Sequence, residues 1–370
     1  MENYFLERAY SIIIYAVLAA GMFFWMQRKK CNIKVTLWVY TIILTVLAYF
    51  FIPAESLDLY RLWAMADVYK GLPLIEMIPK VISEWGGSPL SHVYLSVLYN
   101  IDMHLIPAVT AFLFFVNIFY IIGDYAVKKK TNHAVIAMVV FFFMSRGIYG
   151  EVLNGIRSML AFSFIARCVY NEVYNKTSII KNIPIYLLMS FFHQAALALV
   201  AIRFAFYIIY EKRGLARVLY LFTLAGVSAL FAIYFRNNII DTVTKANVYI
   251  SSNIFSYGWE YALSTCYMIT CAWLLYRPYY NPRYSLELQK MRKIVGSIFL
   301  MCIILIFSFS IYDRYINFAS FIVMPALMEV LNDEWARKRR YRYGILMIVS
   351  VFIMLVCGLR GDLNAIRFFE

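Results

Sequence analysis

Apolar stretches long enough to cross a bilayer recur along this chain from one end to the other, which leaves it very few ways to fold. In hydrocarbon every backbone amide must find its partner inside the protein, so only helices and closed barrels span membranes. A barrel would show alternating segments of ~10 residues, and the sequence has none. Soluble domains run near half apolar and about a quarter charged. Here 63% of 370 residues are hydrophobic and 15% are charged. The chain therefore reads as an all-α polytopic membrane protein, a single integral membrane domain over 1–370. Acidic Glu2 and Glu7 precede the first apolar run and no small-residue cleavage site follows it, so 9–26 is expected as the first span rather than a signal peptide.

Apolar windows place candidate helices near 9–26, 35–52, 105–123, 133–145, 151–170, 182–192, 195–210, 215–234, 259–276, 294–311, 315–331 and 343–359. Segment 89–104 (PLSHVYLSVLYNIDMH) is amphipathic and too polar to face lipid, and is expected as a re-entrant or interfacial helix. The net charge is +14, and its placement says more than its size. Basic clusters at 27–34, 128–130, Lys176 with Lys181, 211–217, 277–293 and 337–342 fall in alternate loops. The positive-inside rule makes those loops cytoplasmic and puts both termini outside, a parity that about twelve crossings satisfy. The outer loops are then about 53–88 and 236–258. The basic clusters are topology signals that meet anionic headgroups, and they imply no nucleic-acid partner. Six scattered cysteines without ligand spacing read as small buried hydrophobes, and four dispersed histidines suggest no metal site.

With the cytoplasmic clusters set aside, the other polar residues gather at the opposite boundary. Asp58, Tyr60 and Arg61 lie in loop 53–88; Arg146, Glu151, Asn154 and Arg157 lie in the stretch 145–162 that leads into the 151–170 helix; His193 sits between two short apolar helices. Arg236 begins an outer loop, and Asp313 and Arg314 stand at the outer end of another helix. Asn154, Arg157, Ser158 and Ala161 follow i, i+3, i+4, i+7 spacing, so a continuous helix would carry them on one small, polar face, with Arg157 about six residues inside. A lone membrane arginine is often a snorkelling anchor or a carboxylate's partner. Several on one leaflet suggest more, because guanidinium is always charged and its planar fork grips phosphate oxygens. Such a cavity suits a lipid-linked diphosphate. Tyr60, Trp63, Trp85, Tyr249, Tyr257 and Trp259 belong to an interfacial aromatic belt or offer sugar-stacking faces.

DLYR at 58–61, LNGIR..LA at 153–161, FFH.AAL at 191–197, and DRY at 313–315 with Pro325 downstream resemble the EpsG family over about residues 35–331. That family belongs with the Wzy-type polymerases of bacterial exopolysaccharide, capsule and O-antigen synthesis. Ser158 departs from the family's pattern, which has Gln after the arginine. The resemblance implies a GT-C-like helical bundle in the bacterial cytoplasmic (inner) membrane, with its active site facing outward. It implies an undecaprenyl-diphosphate-linked oligosaccharide as substrate, transfer of the growing glycan to a hydroxyl of the next lipid-linked unit, and a flippase and a chain-length regulator as partners. Arg157, Arg314, Arg146 and Arg61 are the candidate diphosphate ligands. His193 is the first candidate base, since a histidine's usual pKa of ~6.5 suits that role, and Asp58 is the second. Asn154, Tyr60, Asp313 and Glu151 are candidate supporting residues. No acidic cluster demands a metal, so a metal-independent, inverting transfer without cofactor is expected. An O-antigen ligase and a transporter or flippase of lipid-linked oligosaccharide remain alternatives. The first would typically carry a larger outer loop, and the second would show a pseudo-symmetric repeat.

Overall fold

The structure, a computed structural model, describes residues 2–28, 30–55, 57–84, 88–211, 214, 218, 258–276, 285–306, 308–336 and 341–360. The helix expected at 215–234, nearly all of the outer loop 236–258 with Arg236, Tyr249 and Tyr257, and Trp85 lie outside the described residues. So do parts of the basic loops 211–217, 277–293 and 337–342.

The described residues form helices and no β-sheet. In order they are α1 (Glu2–Met26), α2 (Ile33–Tyr49), α3 (Asp58–Asp67), α4 (Leu74–Glu84), α5 (Pro89–Ile101), α6 (Leu105–Lys128), α7 (His133–Ser145) and α8 (Ile148–Asn154). Then come α9 (Ile156–Tyr174), α10 (Ile179–Phe192), α11 (Gln194–Phe206) with a π-helical turn Tyr207–Glu211, α12 (Gly258–Tyr276), α13 (Leu286–Ile304), α14 (Phe309–Ala336) and α15 (Tyr341–Arg360). The outer loop 53–88 is thus largely helical. In α3 the buried Leu59, Leu62 and Ala66 recur at helical spacing and turn one face inward.

Among the described residues three helices are long and apolar enough to cross a membrane, at 105–128, 194–211 and 311–333, or four if the bent pair α7–α8 is one broken span rather than a re-entrant loop. Apolar segments Ile12–Met26, Ile33–Tyr49, Ile179–Phe192 and Tyr341–Cys357 are shorter, so length and composition do not reach the expected twelve crossings. α14 is the central post: nearly all of its apolar stretch is buried, and it packs on α6, α7, α9, α12 and α13.

Helix ends follow the chemistry of the two ends of the bundle. At the basic end, Asn32, Asn132, Ser178 and Ser285 cap α2, α7, α10 and α13, each side chain accepting a first-turn amide. At the other end α9 and α11 begin at Gly155 and His193 with no side-chain cap.

The basic end also holds a buried ion pair. Glu172 of α9 accepts from Asn182 Nδ2 at 2.8 Å, the Tyr186 hydroxyl at 2.7 Å and Arg203 Nε at 2.6 Å, tying α9, α10 and α11 together. Arg203 Nη2 reaches Glu211 on the π-helical turn at 3.2 Å. Burial of both groups is tolerable because nearly every polar atom is matched.

Candidate functional site

The LNGIR segment is where the sequence reading needs correction. A continuous helix over 151–170 would bury Arg157 about six residues deep. Instead Gly155 closes α8 and opens α9, and Arg157 is the second residue of α9. Glycine is favoured by close approach: the Gly155 amide donates to Glu151 O at 2.7 Å, and an added Cβ would stand 3.1 Å from that oxygen, a tight contact. Ser158 folds back to donate to Gly155 O at 3.0 Å. Asn154 is therefore on α8, and its side chain accepts the Asp58 amide at 2.8 Å, joining α3 to the break. A cation in the first turn gains nothing from its own helix dipole. An anion placed there meets both the guanidinium and the uncapped amides.

One helix preceding, a second break shapes the same end. α7 stops at Arg146, and Gly147 takes φ 70°, a left-handed conformation that favours glycine, so that α8 leaves at 48° to α7.

His193 breaks a third helix. Its extended backbone (φ −151°, ψ 123°) ends α10 and starts α11. Its Nε2 is buried and has no hydrogen-bond partner. The charges acting on its ring are two guanidinium groups, Arg314 and then Arg157. Phe162 of α9 wedges between these elements, with its ring 6.2 Å from the His193 ring, 6.2 Å from Tyr315 and 5.8 Å from Phe318 of α14. The Tyr315 hydroxyl donates to Ala195 O at 3.3 Å and locks α14 to the start of α11. Arg157, His193 and Arg314, three separate motifs in the sequence, are thus brought to one place. Arg314 forms no ion pair among the described residues.

The neighbouring residues of DRY point to different work, since successive helix positions are ~100° apart. Asp313 pairs with Arg146, and Ser264 bridges them, accepting from Arg146 at 3.1 Å and donating to Asp313 at 2.6 Å. Asn317 Nδ2 donates to the other Asp313 oxygen at 3.1 Å, and Glu151 adds a second negative charge near Arg146. Arg146 lies 5.4 Å over the Tyr267 ring. Its guanidinium is buried and committed to Asp313, with only Nη1 lacking a partner. Arg61 and Asp58 pair with each other on the surface of α3, their side chains 68% and 39% exposed, at the rim of this end of the bundle. Tyr60 is exposed beside it, Trp63 packs edge-on against His104 at 5.6 Å, and Trp259 is exposed.

His92 is the site residue the sequence reading missed. α5, expected as re-entrant or interfacial, is a helix with Ser91, His92 and Ser96 buried. Burial, and then the Arg157 charge, hold the His92 imidazole down to about 4, so it is neutral at pH 7. The signal was present in the i, i+4 pair His92 and Ser96, a polar stripe on a helix whose other residues are mostly apolar.

The EpsG family model matches residues 85–365. The chain belongs to the EpsG family. Its members are Wzy-like polysaccharide polymerases. The match covers the LNGIR, FFH and DRY segments and leaves DLYR, at 58–61, outside it. No curated protein and no solved structure matches the chain. Among the described residues no three His, Cys, Asp or Glu side chains gather in a way that could hold a metal ion.

Proposed function

We propose that this chain polymerises lipid-linked glycan repeat units at the outer face of the cytoplasmic membrane, and that Arg157 and Arg314 clamp the diphosphate of the undecaprenyl-linked donor. The supporting observation is the convergence of both arginines on His193, at an end where α9 and α11 start without side-chain caps. The acceptor hydroxyl attacks the anomeric carbon of the donor glycan, and the bond from that carbon to the diphosphate oxygen breaks with inversion. Undecaprenyl diphosphate leaves carrying the electron pair. Diphosphate is a good leaving group, so fixed guanidinium charge is the main requirement, and donors aimed at developing charge each contribute on the order of 10²–10³ in rate. This replaces the need for a metal.

His193 is the base we favour for the acceptor hydroxyl, because its Nε2 is without a partner in a buried setting. Asp58, the other candidate, has its carboxylate engaged by Arg61. Arg146 holds Asp313 and shapes the site from behind. Asn154 fixes the entry of α3 over it.

The test is reconstitution of purified protein with synthetic lipid-diphosphate repeat units. Wild type should yield a ladder of chain lengths, and Arg157→Lys should lose most of it, because an ammonium cannot reproduce the fork. A wild-type ladder from the lysine variant would contradict bidentate binding. Near-normal turnover in His193→Ala would move the base to Asp58 or remove it.

A further inference from the structure

A cavity of about 760 Å³ opens at the basic end of the bundle, remote from His193, between the α1–α2 turn and the α6–α7 turn. Gln27, Lys130, Thr131 and His133 belong to its polar lining together with Asn32 and Asn132, Ile33 and Ile136 belong to its apolar wall, and no acidic residue lines it. His133 Nδ1 donates to the Arg28 carbonyl at 3.1 Å and stitches the two turns together. Thr131 is only 6% exposed, its amide is satisfied by Ala126 O at 3.0 Å, and its hydroxyl oxygen is buried without a partner. A buried hydroxyl left unmatched is costly, so a ligand that accepts its hydrogen has something to gain here. Arg28, Lys30 and Lys129 lie on the same two turns and Lys34 in the first turn of α2, adding positive charge to this end of the bundle.

We propose that this cavity is a binding site for the phosphate headgroup of an anionic membrane lipid. The phosphate takes the Thr131 hydroxyl and the Lys130 ammonium, and the first carbons of an acyl chain run along Ile33 and Ile136. Basic pockets between helices at a membrane surface recognise lipid headgroups by this combination of fixed charge and apolar wall. A soluble phosphate compound shares the headgroup chemistry but has no use for the apolar wall.

Native mass spectrometry of the full-length protein, released from micelles containing equal phosphatidylglycerol and phosphatidylcholine, reads the outcome directly. A retained phosphatidylglycerol adduct is expected, with phosphatidylcholine and added glycerol 1-phosphate leaving none. Lys130→Glu should lower that adduct by about fivefold or more. Thr131→Val, which keeps the shape, should lower it measurably and carries the test should Lys130→Glu fail to fold. Equal retention of the two lipids, or both folded variants retaining phosphatidylglycerol as wild type does, would overturn the site. Glycerol 1-phosphate held at the occupancy of phosphatidylglycerol would overturn the lipid as its occupant. None of these readouts depends on glycan transfer.

Discussion

The two ends of α9 carry the same cation in opposite company. Arg157 and Glu172 lie about 22 Å apart along that helix. At the Glu172 end, Arg203 is answered by two carboxylates, and an asparagine and a tyrosine complete the shell of Glu172. At the Arg157 end, Arg314 has no carboxylate among the described residues, the charges acting on His193 among them are Arg314 and Arg157, and α9 and α11 begin without a side-chain cap. One arrangement is a finished structural contact. The other gathers two guanidinium groups around a buried imidazole, and of the two Arg314 has no ion pair among the described residues.

Breaking each end should therefore give opposite readouts, and this is the largest expected contrast. Glu172→Ala leaves buried Arg203 with Glu211 alone and takes the acceptor from Asn182 and Tyr186, and should lower stability by about 3 kcal/mol, seen as a large fall in Tm or failure to accumulate. Arg157→Ala should lower Tm by much less than Glu172→Ala does, since a cation at a helix N-terminus is unfavourable to its own helix, while glycan transfer falls ~10²–10³-fold. A stable, inactive Glu172 variant beside an unfolded Arg157 variant would invert the assignment.

A smaller effect sharpens the picture of the Arg157 end. His92 is held below its usual pKa, so the unfolded chain binds its proton first as pH falls. This group's contribution is fully present above about pH 6.5 and is lost as pH drops towards about 4. Thermal melts across that window should show wild type losing more stability than His92→Gln. Parallel curves would remove His92 from the shell of Arg157. The smallest effect is expected at the rim: Arg61→Ala breaks an exposed pair, so Tm should barely move, consistent with the ~0–1 kcal/mol of surface ion pairs. A large loss would mean that this pair closes over the site.

The helices were legible because long apolar runs leave no other choice, and LNGIR, FFH and DRY were legible as departures from that pattern. What escaped was what depends on backbone detail or distant pairing. A glycine inside a helical pattern is read as tolerated as easily as a break, so Gly155 concealed that Arg157 opens a helix. The partnership of Arg146 with Asp313 spans 167 positions and has no local signature. Arg203 lay unnoticed within an apolar window, since only the fold brings Glu172 to it.

The central claim is that the arginines of α9 and α14 bind diphosphate. Its most direct test is the affinity of undecaprenyl diphosphate for purified wild type and for the Arg157→Ala/Arg314→Ala double variant, with folding verified by Tm. The account predicts a loss of about 100-fold or more in the double variant, as two charge-assisted phosphate contacts are removed together. Equal affinity in the two proteins would contradict it.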